Sequence, residues 1–128
     1  MLRLIPLGGL GEIGLNMMVV ECGEDRLVID AGLMFPEDYM LGVDFAIPDT
    51  AYLRAAGGRL LGVILTHAHE DHIGALPFLL REAAVPVFGT GFTLGMAAQR
   101  LAEFETAATA DFQRVEPGRP LALGPFRI

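Results

Sequence analysis

The stretch Val63 to His72, Val-Ile-Leu-Thr-His-Ala-His-Glu-Asp-His, gathers all three histidines of the 128-residue chain into six positions. Gly62 to Thr66 is a short apolar run rich in β-branched residues, and Ile73 to Glu82 carries apolar side chains at helical spacing, so the cluster falls where a strand gives way to a helix. Alternate side chains of extended backbone share a face, which lets His67 and His69 grip one ion together. Asp71 and His72 then enter the first helical turn, displaced far enough to serve a second ion beside the first. Two metals with two ligands each is the count this spacing predicts. Asp71 also has a plainer reading, as a residue offsetting the unsatisfied amides and positive dipole at a helix start. For the histidines the plain reading is three solvated or satisfied side chains at a strand end. The density of donors favours the metal.

Composition narrows the setting. The length fits one modest domain, and 16 acids against 9 basic residues, all arginine, leave a net charge of −7. That balance argues against a general nucleic-acid-binding surface within this segment, though not against a local contact. The mean hydropathy of +0.47 is high for a soluble domain, yet the apolar runs are broken by Gly, Pro or charge before reaching a membrane span. No charged-then-apolar leader opens the sequence, and the single Cys22 has no internal disulfide partner, so the expected compartment is the reducing cytoplasm. Cys22 itself reads as a small core residue.

Leu2 to Leu7 reads as a strand, and the following Gly9-Leu10-Gly11-Glu12-Ile13-Gly14 matches the dinucleotide-binding fingerprint, with Asp30 near the distance expected of a ribose-binding acid. That unit requires a helix after the glycines. Asn16 to Glu21 is short and β-rich, Gly23-Glu24-Asp25 turns the chain, and Leu27 to Asp30 returns, so a hairpin is expected where the helix should stand. The glycines then serve a tight surface loop. Asp30 ends an apolar strand, either as a turn residue or as a partner orienting a metal-bound histidine.

Leu33 to Asp49 is irregular and acidic, a long loop. Asp49 is placed to cap a short helix through Tyr52 and Leu53, ended by Gly57-Gly58. Pro77 falls early in the helix after the cluster and bends it. Pro86 to Gly89 reads as a strand and Phe92 to Phe104 as a helix with Leu94, Ala98, Leu101 and Ala102 on its apolar face. Phe112 to Val115, Leu121 to Leu123 and Phe126 to Ile128 read as short strands parted by Pro-Gly and Gly-Pro turns.

His67-Ala68-His69-Glu70-Asp71-His72 is the His-x-His-x-Asp-His signature of the metallo-β-lactamase fold. Gly8 through Gly14, Ile29-Asp30-Ala31-Gly32, Phe35-Pro36-Glu37-Asp38, Gly42-Val43-Asp44, Ile47-Pro48-Asp49 and Leu65 through Leu80 resemble the amino-terminal part of the bacterial ribonuclease J family, of the β-CASP branch. The resemblance implies an α/β (α+β) class, a four-layer αββα sandwich of which residues 1–128 are the first half, without the β-CASP and carboxy-terminal domains. It implies two zinc ions, His67 and His69 on one and Asp71 and His72 on the other, with Asp71 orienting the attacking hydroxide. The implied reaction is RNA phosphodiester hydrolysis, endonucleolytic and from the 5′ end, because zinc lowers the pKa of bound water to ~7 and offsets charge on phosphate. It further implies a homo-oligomer and, on the loop, a calcium ion held by the carbonyls of Leu41 and Val43.

A catalytic zinc usually keeps three protein ligands, and the family adds a histidine, a bridging aspartate and a final histidine, all downstream of these positions. No fourth histidine is present. The chain is therefore expected to be an amino-terminal piece with an incomplete site, binding zinc weakly, cleaving RNA poorly and leaving apolar surface bare. The competing classes are a metallo-β-lactamase-fold hydrolase acting on thioesters or lactams, and a non-catalytic interaction fragment indifferent to His67→Ala.

Overall fold

A hairpin stands where a dinucleotide fold would have a helix. In the computed structural model, which describes residues 1–104 and 110–128, strand β1 (Leu2–Gly8) pairs antiparallel with β2 (Met17–Cys22). A turn at Gly23 and Glu24 leads into β3 (Asp25–Ile29), again antiparallel. Strands β4 (Arg59–Ile64), β5 (Val87–Gly89) and β6 (Phe112–Arg114) then add in parallel, giving one sheet in the order β1-β2-β3-β4-β5-β6. Strands β7 (Ala122–Leu123) and β8 (Phe126–Arg127) form a separate two-stranded ribbon. The class is the mixed α/β one expected.

Helices fill the crossovers between the parallel strands: α1 (Ala51–Ala55), α2 (Glu70–Ile73), α3 (Leu76–Glu82) and α4 (Gly91–Glu103). One sheet face meets them. Met17 and Val19 of β2, Val28, Val63 and Val87 pack in a single buried cluster with Ile73, Leu76, Leu79 and Leu80 below and Leu94, Ala97 and Leu101 beside them. Burying each such side chain is worth about 1.5–3 kcal/mol, so the alternation of β2 decides which face turns inward. Leu2 and Leu4, on the other face of the edge strand, remain exposed.

Several expectations change. The strand before the cluster ends at Ile64, leaving Thr66 beyond it. The single helix over Ile73 to Glu82 is two: α2 closes at Gly74 and α3 restarts with Pro77 in its first turn, where a missing N–H costs nothing. The freed Ala75 N–H bonds the Ala31 carbonyl at 2.8 Å, docking the break onto the end of β3. On α4 the buried positions are Thr93, Leu94, Ala97 and Leu101, whereas Ala98 is half-buried and Ala102 exposed, because the helix leans on the i, i+4, i+8 row starting at Thr93. Cys22 is half-buried at the end of β2 rather than in the core, since Glu21 takes the inward position. Thr50 occupies the cap position of α1, although Asp49 does accept the Ala51 N–H at 2.8 Å.

The long loop is closed by an antiparallel bridge between Met34 and Ala46. Its Phe45 ring then stacks 5.5 Å from Phe78 of α3 and 6.0 Å from Phe104, pinning the loop to the helical layer.

Candidate metal centre

The ends of the adjacent parallel strands β3 and β4 meet at the site, the place where such sheets present functional loops. Past β4 the backbone stays extended, with His69 at φ −71°, ψ 147°. Ala68 turns toward the core and the two flanking histidines turn outward. His67 Nε2 and His69 Nδ1 face each other at 3.2 Å. Two nitrogens on one tetrahedral zinc, each bonded at about 2.0–2.1 Å, sit about 3.3 Å apart. One turn on, Asp71 Oδ2 lies 3.5 Å from His72 Nε2, and the His67 and His72 rings are 4.0 Å apart, so the second pair stands beside the first. Among the described residues no three His, Cys, Asp or Glu side chains converge on a single point. The arrangement is two pairs.

Hydrogen bonds set which nitrogen of each ring is open. Asp30 is 5% exposed, and an ionised carboxylate only accepts. Its Oδ1 takes the Thr66 N–H at 2.8 Å, while Oδ2 takes the Thr66 hydroxyl at 2.8 Å and His72 Nδ1–H at 2.8 Å. Having given its one proton to Asp30, the Thr66 oxygen accepts from His67 Nδ1 at 3.0 Å. With Nδ1 occupied in this way, the neutral form of His67 and of His72 presents a bare Nε2 toward the site, the form a metal ligand requires. Those donor sets fit a divalent ion. Thr66 was invisible as a functional residue in the sequence; the signal that could have found it is its place directly before the first histidine and one strand over from Asp30.

Asp71 does not cap its helix. His69 holds the cap position without a side-chain bond, and Asp71 is instead fastened from across the sheet: Asn16 Nδ2 donates to its carbonyl at 3.0 Å and to Oδ2 at 3.2 Å. Asp30 and Leu15 both sit at positive φ, 62° and 55°, a left-handed conformation uncommon for side-chain-bearing residues and concentrated at functional sites. Leu41 and Val43 lie exposed on the long loop, and among the described residues no three His, Cys, Asp or Glu side chains gather there.

A second buried carboxylate lies at the far end of β2. Glu21 is 6% exposed and is held by the Arg3 guanidinium and by the Tyr52 hydroxyl, which donates at 2.8 Å. Arg3 first, then Tyr52, keeps the Glu21 carboxyl below the usual carboxylate range, and bonding to Glu21 pushes the Tyr52 phenol up. Arg26 lies beside this pair with its guanidinium donating to the Ala56 carbonyl at 2.7 Å. Nothing in this group faces the histidines.

The family described as the Metallo-beta-lactamase superfamily matches residues 10–123. The chain belongs to that superfamily. Membership implies a divalent metal. Ribonuclease J of Helicobacter pylori is 45% identical over 127 residues, which is 98% of this chain and 18% of that protein. Ribonuclease J2 of Bacillus subtilis is 42% identical over 113 residues, 88% of this chain and 20% of the relative. The chain thus spans about a fifth of the length of these relatives. Among solved structures, Zn(2+)-bound PqqB from Methylobacterium extorquens superposes with a TM-score of 0.63 at 15% identity, covering 95% of this chain and 48% of that one. At that identity the likeness concerns the fold alone. No helix among the described residues is long and apolar enough to cross a membrane.

Proposed function

We propose that this chain is the amino-terminal part of a zinc-dependent ribonuclease of the ribonuclease J type, working in the cytoplasm on RNA phosphodiesters both internally and from the 5′ end. The observation that carries the metal reading is the face-to-face pair His67 Nε2 and His69 Nδ1 at 3.2 Å. That spacing matches two nitrogens sharing one tetrahedral zinc, and a neutral His69 can turn an open Nδ1 to the ion beside His67 Nε2. The 45% identity to ribonuclease J across nearly the whole chain supports RNA over thioesters or lactams.

His67 and His69 would hold one zinc, Asp71 and His72 the other. Bound zinc supplies a Lewis acid that makes water acidic enough to act at neutral pH and offsets charge on the phosphate. Thr66 and Asp30 fix the tautomers and aim the rings. Asp71 would help to orient the attacking hydroxide.

Each pair brings two donors where a catalytic zinc keeps three, so the chain by itself binds zinc weakly and cleaves poorly. Metal analysis of the purified chain, paired with an assay on 5′-monophosphorylated RNA, tests this. Two tightly held zincs with robust cleavage would overturn the incomplete-site reading. Zinc uptake indifferent to His67→Ala and Asp71→Ala would remove the metal assignment altogether.

A further inference from the structure

The glycine loop that imitates a dinucleotide-binding fingerprint lacks the helix which that motif requires, and its role is legible in what it encloses. A Cβ on Gly9, which sits at φ +84°, would stand 2.6 Å from the Asn16 side-chain oxygen, so the loop leaves that space to the asparagine. The Asn16 backbone is fixed on both sides. Its N–H donates to the Asp71 carbonyl at 3.2 Å, and its own carbonyl accepts the Gly32 N–H at 2.9 Å. Gly32 in turn is pressed against α2 so closely that a Cβ there would lie 1.6 Å from the Asp71 carbonyl oxygen. From this seat the Asn16 amide spends both of its hydrogens on one residue, bonding the Asp71 carbonyl at 3.0 Å and Oδ2 at 3.2 Å. Oδ2 is also the oxygen that faces His72 Nε2 at 3.5 Å.

We propose that Asn16 is a positioning residue for the second metal pair: its amide locks the Asp71 carboxylate in the rotation that pairs Oδ2 with His72, and the glycine loop exists to seat it. Among the described residues the Asn16 side-chain amide hydrogen-bonds Asp71 and neither His67 nor His69. Its effect therefore falls on one pair and spares the other. The proposal rests on the metal reading given above.

The chain offers unusually clean probes, because Asn16 is its only asparagine and His67, His69 and His72 are its only histidines. The full chain, labelled with nitrogen-15, is titrated with zinc while the three imidazoles and the Asn16 side-chain amide are followed by NMR. The amide signals are expected to move with the His72 ring and not with the His67 and His69 rings. In Asn16→Ala, and in the size-matched Asn16→Leu, the His72 midpoint is expected to shift to ~10- to 100-fold higher zinc, the usual effect of removing an outer hydrogen-bond partner, with the His67–His69 midpoint unchanged. An amide that stays silent while His72 responds overturns the proposal, as does equal weakening of both pairs, which is what a merely structural role would give. If no imidazole of the unaltered chain responds to zinc, the metal reading fails first and takes this one with it. Should either variant misfold, the amide response of the unaltered chain still decides.

Discussion

Asp30 and Glu21 are both carboxylates buried to within a few per cent, near opposite ends of the β2–β3 hairpin, and they do different work. Glu21 is paired with a cation and accepts a phenol's hydrogen bond, so its charge is consumed in tying β1 and α1 to β2. Among the described residues no arginine pairs with Asp30. It gathers a backbone amide, a hydroxyl and an imidazole, and through the last two it dictates which nitrogen of His72 and of His67 stays open. A buried acid whose partners are complete in themselves is architecture, whereas one whose partners point onward is part of a site.

The contrast can be broken most forcefully at the joint between hairpin and α2. Gly32→Ala drives a methyl into the Asp71 carbonyl, which no rotamer relieves. The expected cost is at least the ~1–3 kcal/mol of an overpacked core, accompanied by lost zinc binding. Chemical denaturation and zinc titration check it, and an unchanged protein would mean that the contact between strand end and helix is not as tight as described.

Next in size is the exchange of the two acids. Asp30→Asn reverses one acceptor facing Thr66 or His72, and zinc affinity at the Asp71–His72 pair should fall by ~10- to 100-fold. Glu21→Gln should leave the zinc titration untouched and lower only the thermal midpoint. Equal effects from both on zinc would erase the distinction.

Smaller still is a pH effect confined to the Glu21 end. Because its carboxyl is held low, that group contributes stability above the ordinary carboxylate value, ~4.3, and loses it as pH falls through the lower folded value. Tyr52, held high, contributes below the ordinary phenol value of ~10 and loses it as pH rises past its raised value. Tyr52→Phe should therefore move acid unfolding to slightly higher pH and abolish the alkaline loss, both visible in thermal melts across pH. Smallest is Arg54→Ala, which breaks an exposed pair with Glu82 and should cost ~0–1 kcal/mol; a larger loss by denaturant titration would mark that pair as more than a solvated contact.

Much of this was legible in the residues. The hairpin after the glycine loop followed from β-rich letters and a Gly-Glu turn, and most strands and α4 fall close to where alternation and helical period put them. What misled was helical continuity past the histidines, because apolar spacing persists across Gly74 and Ala75 even though Pro77 restarts the helix. On α4 Leu94 and Leu101 face inward as read, but Ala98 was read in place of Ala97, since the two alanines are equivalent in composition and only docking on the sheet separates them.

From the letters alone came the donor types, their crowding into one junction and the hairpin that displaces a nucleotide fold, because periodicity and turn chemistry are local and a hexapeptide carries its own ligands. Only the folded chain set Asp30 against both Thr66 and His72 and brought Asn16 to the ligands, since Asp30 and Asn16 come from distant parts of the chain, Asn16 standing 55 positions from the Asp71 it holds. Hydrogen bonds act over about 3 Å of space whatever the separation in sequence, so the order of the chain supplies the metal's donors while the packing decides how they are aimed.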